Sequence, residues 1–105
     1  MYAASAILKA LIKMARVVVT LKIMPESPES DLDSIESEAK SKILEFSQNT
    51  EMRSVQEPIA FGIKALKITF VMEESKGSTD SLEENIKTIG GVNSVDTIDV
   101  RRAVG

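Results

Sequence analysis

The chain has 105 residues, 43% hydrophobic and 28% charged, and contains no cysteine, histidine or tryptophan. That composition fits one globular domain and excludes disordered, collagen-like and coiled-coil chains. It also removes disulfides, Cys/His zinc sites, cysteine nucleophiles and every histidine-based catalytic dyad. Thirteen Lys and Arg stand against sixteen Asp and Glu, a net charge of −3. Glu26, Glu29, Asp31, Asp33, Glu36 and Glu38 follow one another with no basic residue between them. A nucleic-acid binder must neutralise several phosphates, so such a block argues against that class. The longest apolar runs fall short of the ~20 residues a membrane span needs, and a soluble protein is expected.

In residues 1–13 the positions Ala4, Ile7, Leu8 and Leu11 recur at helical spacing, with Lys9 and Lys13 on another face. This predicts a short amphipathic helix. Lys9 interrupts the apolar stretch that a signal peptide would need. The preferred reading is an extension over 1–13 and a working domain over 14–105.

Arg16 to Met24 is β-branched and aliphatic, a fairly buried strand that the prolines at 25 and 28 bring to an end. Ser30 or Asp31 can cap a helix whose stripe is Leu32, Ile35, Ala39, Ile43 and Phe46, with Lys40 and Lys42 towards its C-terminal end. After the polar break Ser47–Thr50, Met52 to Gln56 predicts a modest strand, with Pro58 at its end or on an edge. Gly62 permits a reversal, and Lys64 to Glu73 reads as a central strand. A turn at Lys76–Ser78 leads to a second helix capped by Thr79 or Asp80, with Glu83 in capping-box spacing from Asp80. Leu82, Ile86 and Ile89 form its stripe, Gly90 and Gly91 end it, and Val92 to Val100 alternates as a last strand with one wet face.

The order β-α-β-β-α-β predicts an α+β fold of the ferredoxin-like kind: a four-stranded antiparallel sheet with two helices on one face. That scaffold hosts many functions, so the residues must choose among them. RNA recognition needs aromatics on the central strands, but the one candidate, Phe70, lies in an apolar run and reads as core. Metal carriers of this fold use Cys-x-x-Cys, which is absent. Acylphosphatase-type catalysis needs a glycine-lined phosphate cradle with an arginine after the first strand, where this chain has Met24-Pro25-Glu26-Ser27-Pro28-Glu29. Glu73 and Glu74 are neighbours on a strand and point to opposite faces, so they cannot serve one substrate together. No G-x-x-x-x-G-K-[ST] loop occurs, so the chain is not itself a GTPase. What remains is a binding module for another protein or, alternatively, a regulatory domain for a small effector.

Three separated segments carry a resemblance across Met14 to Gly105. They are Val19 to Pro28, Glu57 to Lys67 (EPIAFGIKALK), and Gly91 to Asp96 continuing through Asp99 to Arg102. In this order they resemble the archaeal elongation factor 1-beta family, the guanine nucleotide exchange factors of elongation factor 1-alpha. The resemblance implies a cytoplasmic translation factor that exchanges GDP for GTP on that GTPase. It implies no catalysis of its own, no cofactor or metal, and no nucleic-acid, membrane or small-molecule partner. It further implies partner contacts at Ile59, Phe61, Gly62 and Lys64, since an Ile-x-Phe-Gly turn faces the GTPase in eukaryotic relatives. Those relatives end on a lysine that enters the partner's nucleotide site and disturbs Mg²⁺ and phosphate. Counting from the shared Val-x-Ser-x-Asp, that lysine falls on Arg102, with Arg101 beside it. Here the lysine is replaced by a rigid guanidinium fork, and Ala103, Val104 and Gly105 follow it.

Overall fold

The computed structural model describes residues 16–102, and the helix expected over residues 1–13 lies outside the described residues. In chain order the elements are β1 (Arg16–Pro25), α1 (Leu32–Ser47), β2 (Met52–Ala60), β3 (Ile63–Glu73), a 3₁₀ turn (Glu74–Lys76), α2 (Asp80–Lys87) and β4 (Val92–Arg102). The sheet has the order β2-β3-β1-β4, and every neighbouring pair is antiparallel. This is the ferredoxin-like arrangement expected from the sequence.

Period-two alternation on the central strands builds the core. Val19, Leu21 and Ile23 of β1 point to the same face as Leu66, Ile68, Phe70 and Met72 of β3, and all are buried. Ile35, Ala39 and Ile43 of α1 and Leu82 and Ile86 of α2 close over them. Phe70 is fully buried, as the core reading expected, and Phe46 packs part-buried on the cluster's margin.

The helix ends differ in detail from the sequence reading. Asp31 does cap α1, its carboxylate accepting the Ser34 N–H at 3.2 Å. Lys40 and Lys42, however, do not reach the last turn, which holds no basic residue. Lys40 pairs with Glu36 at 3.0 Å and Lys42 donates to Asn85 of α2 at 3.1 Å, while the helix continues to Ser47. Gln48, in the left-handed region at φ 56°, closes it with an N–H to the Leu44 carbonyl. In α2 the expected capping box does not form. Thr79 is the cap and Asp80 the first helical residue, so Asp80 and Glu83 lie at the wrong offset. The Thr79 hydroxyl instead meets Glu83 at 3.2 Å and Thr97 of β4 at 3.1 Å.

Strand β2 runs through Pro58 to Ala60, longer than the Met52–Gln56 expected. It is an edge strand, where a residue without an N–H costs no ladder bond on the outer side. The even alternation expected of β4 is broken twice. Its pairing with β1 steps from Val92 to Ser94 and from Thr97 to Asp99, which leaves Asn93 and Ile98 as bulged residues.

Candidate partner interface

Four of the six residues singled out by the resemblance meet at one end of the sheet. The β2–β3 hairpin closes with Ala60 opposite Ile63, so Phe61 and Gly62 form a two-residue turn. Both have positive φ, 55° and 78°, the pattern of a type I′ turn, which suits the right-handed twist of the flanking strands. Glycine adopts that conformation freely, but a phenylalanine there is strained. Its ring gains no burial in return: Phe61 is 94% exposed. Phe61 is therefore a surface ring.

One residue earlier the ladder slips. Pro58 pairs with Lys64 and Ala60 with Ile63, leaving Ile59 as an extra residue in β2. Such a bulge twists the strand and re-aims the side chain, and Ile59 is 43% exposed. Lys64 is exposed on the opposite strand. The tip rests on the β1–α1 loop: a Cβ built on Gly62 would lie 3.8 Å from the Pro28 Cβ, an ordinary contact. That loop is tied in turn by the Glu26 N–H, which donates to the Gly91 carbonyl at 2.8 Å. Gly91 itself sits at φ 92° with the Ile35 side chain 3.4 Å from where a Cβ would be. Beside the hairpin a shallow depression of about 260 Å³ is lined by residues including Pro28, Asp31, Asp33, Gln56 and Lys64. The Gln56 amide bridges it by donating to Asp33 at 3.3 Å. Further along the hairpin Lys67 donates to Glu57 at 2.7 Å. This hydrogen bond, then the charge of Lys67 and that of Lys22, holds the Glu57 carboxyl below the ordinary glutamate range.

Arg101 and Arg102 lie at the other end. Arg102 pairs with Val17 and Arg101 with Val18, so the two guanidinium groups leave opposite faces of the sheet. Arg102 donates to Glu74 of the 3₁₀ turn at 2.7 Å, and Arg101 forms an ion pair with Asp99 on its own strand at 2.9 Å. All four side chains are exposed. Glu74 is not on the strand where it was expected: β3 ends at Glu73, which accepts from Ser75, while Glu74 opens the 3₁₀ turn and takes Arg102. That anchoring role was invisible in the sequence, since it needs the β1–β3 and β1–β4 registers to bring residues 74 and 102 together.

Residue 102 is level with Val17 and hence with Met72, nine steps along β3 from Ile63. At about 3.3 Å per residue the two clusters stand ~30 Å apart. The structure therefore brings Ile59, Phe61, Gly62 and Lys64 together and keeps the arginines separate from them.

Residues 18–103 match the model of the EF-1 guanine nucleotide exchange domain. The chain belongs to that family. It is similar to the elongation factor 1-beta of Methanothermobacter thermautotrophicus, 41% identical over 90 residues that make up 85% of this chain and 98% of the relative. The factors of Methanobrevibacter smithii and Metallosphaera sedula are each 40% identical over 90 residues, 85% of this chain and 98% and 97% of theirs. As a member of this family, the protein serves guanine nucleotide exchange in translation elongation. Among the described residues no helix is long and apolar enough to cross a membrane.

Proposed function

We propose that the domain acts on elongation factor 1-alpha in the cytoplasm, gripping the GTPase at both ends of the sheet. Ile59, Phe61, Gly62 and Lys64 anchor it, while Arg102 enters the Mg²⁺ and phosphate region of the partner's nucleotide site. Arg101, on the other face, holds an acidic surface nearby. The observation that carries this reading is Phe61, a strained and almost wholly exposed aromatic. Backbone strain and exposed apolar area both cost stability without serving the fold, and aromatic anchors of this kind dominate protein interfaces.

The mechanism is a coupling of two equilibria. A factor that binds the nucleotide-free GTPase more tightly than the GDP-bound form weakens GDP by the same ratio. A cation inserted beside the phosphates competes with Mg²⁺, the largest local charge holding them. No covalent step is involved, and no catalytic group is required of this chain. Residues 14–105 form the working unit, in keeping with a match that spans nearly the whole of its relatives.

The test is release of labelled GDP from purified elongation factor 1-alpha. The full chain is expected to accelerate it. Phe61→Ala is expected to keep its unfolding midpoint, because the ring contributes no core contact, and to lose on the order of 2 kcal/mol of affinity for the nucleotide-free GTPase. Unchanged affinity would remove the hairpin from the interface.

A further inference from the structure

The two helices cover one face of the sheet, and among the described residues no element packs on the other. Alternation places Thr20, Lys22 and Met24 of β1 on this uncovered face, beside Ala65, Lys67 and Thr69 of β3. The Thr20 and Thr69 hydroxyls meet across it at 3.1 Å. In the same register Lys22 stands directly opposite Lys67, on the two central strands. Like charges so placed destabilise a sheet. Glu57 answers Lys67 at 2.7 Å, whereas Lys22, with Asp96 opposite it on β4, makes no ion pair among the described residues. Its ammonium group is thus left, among the described residues, without a counter-ion in contact on a face that no element covers.

Charge is also divided between the layers. Helices α1 and α2 carry seven carboxylates against three lysines. The uncovered face carries Arg16, Lys22, Lys67, Arg53 and Arg101 against Glu57, Glu73, Asp96 and Asp99. An acidic partner surface is repelled by the helices and accepted by the sheet. Extent points the same way: a stable interface buries about 800 Å² on each partner, and a phenyl ring supplies about 200 Å². Two ends ~30 Å apart need the surface between them, and Arg101 already lies on this face at the tail end.

We infer that the uncovered sheet face lies along the GTPase between the hairpin and the chain end, with Lys22 and Lys67 set against a carboxylate-rich strip of that partner. This rests on the reading of elongation factor 1-alpha as the partner.

Lys22→Glu separates binding from folding. Its unfolding midpoint is expected to stay within a few degrees of the parent, since Glu would gain Lys67 on β3 and lose Asp96 on β4 across the strands. Its association with nucleotide-free elongation factor 1-alpha is expected to slow about tenfold at low salt, with a flatter salt dependence. Lys22→Met, which removes the charge without reversing it, should move the rate in the same direction by less. Amine-reactive labelling of the complex should protect Lys22 and Lys67 and leave Lys40 and Lys87 on the helices reactive. Parent-like association of Lys22→Glu, or protection of the helix lysines instead, overturns the inference. If Phe61→Ala loses binding in the same series while Lys22→Glu does not, the hairpin contact stands and only the sheet face is wrong. A full chain that leaves GDP release unchanged overturns both.

Discussion

Phe61 and Glu57 show how differently two residues of one hairpin can relate to stability. A phenylalanine at φ 55° costs on the order of 1 kcal/mol relative to glycine, and with its ring in water it recovers nothing from the core. The residue opposes the fold that carries it. Glu57 supports the fold, but only while ionised. Its carboxyl is held below the ordinary glutamate range by the hydrogen bond from Lys67, by that lysine's charge, and by Lys22. A depressed folded-state pKa adds stability above the unfolded-state pKa, and that stability fades as pH falls through the folded-state value. The contribution is therefore complete at neutral pH and vanishes on the acid side of ordinary glutamate titration. The pair is half-exposed and screened by solvent, so the effect on stability is small and the titration itself is the sharper readout. Carbon-detected NMR is expected to find Glu57 titrating below a free glutamate. Lys67→Met should return it towards the ordinary value, and a Glu57 that titrates normally in the parent would show that the ion pair does not persist in solution.

Six regular elements in their order, and the buried stripes of the helices, were legible because the periods of strand and helix differ. Val19, Leu21 and Ile23 recur every two residues, while Ile35, Ala39 and Ile43 follow helical spacing. The irregular residues were not legible. A bulge at Ile59, Asn93 or Ile98 leaves no mark on hydrophobic periodicity, because it is a slip between two strands and neither strand records it alone. The same blindness hid the Lys22–Lys67 and Arg102–Glu74 pairings, which depend on register. The exposure of Phe61 was equally hidden, since Ile-Ala-Phe-Gly reads as well for a buried turn as for a bare one. The bulge at Ile59 permits a test at the level of the hairpin. Deleting Ile59 lets Pro58–Lys64 and Ala60–Ile63 join into one continuous ladder without altering the Phe61-Gly62 turn. The shortened protein is expected to unfold at a midpoint within a few degrees of the parent yet bind the nucleotide-free GTPase far more weakly. A bulge with no part in recognition would instead leave affinity intact.

At the scale of the whole molecule, the proposed grip divides the labour of exchange between the two separated clusters. With Arg102 at the phosphates, a hairpin ~30 Å away would not touch the nucleotide, and a chain end without the hairpin would have little area with which to bind. Anchoring and displacement should thus be separable by truncation. Ending the chain after Val100 removes Arg101 and Arg102 along with the last two residue pairs of the β1–β4 ladder, at a margin where Val100 is already 58% exposed. The core cluster loses no member, so the truncated protein is expected to fold. It should still bind the nucleotide-free GTPase through the hairpin and fail to speed GDP release. Single substitutions refine the assignment. Arg102→Ala should slow release strongly with a smaller change in binding, whereas Arg101→Ala should slow encounter and reduce its salt dependence, as a rim charge does. The ion pair to Glu74 does not hold Arg102 back, because an exposed pair contributes under about 1 kcal/mol and a phosphate competes with it directly. A truncated protein that releases GDP as fast as the full chain would exclude the arginines from the exchange step. The displacing group would then have to lie between Ile59 and Lys67, and with it the nucleotide site would face the hairpin end of the sheet.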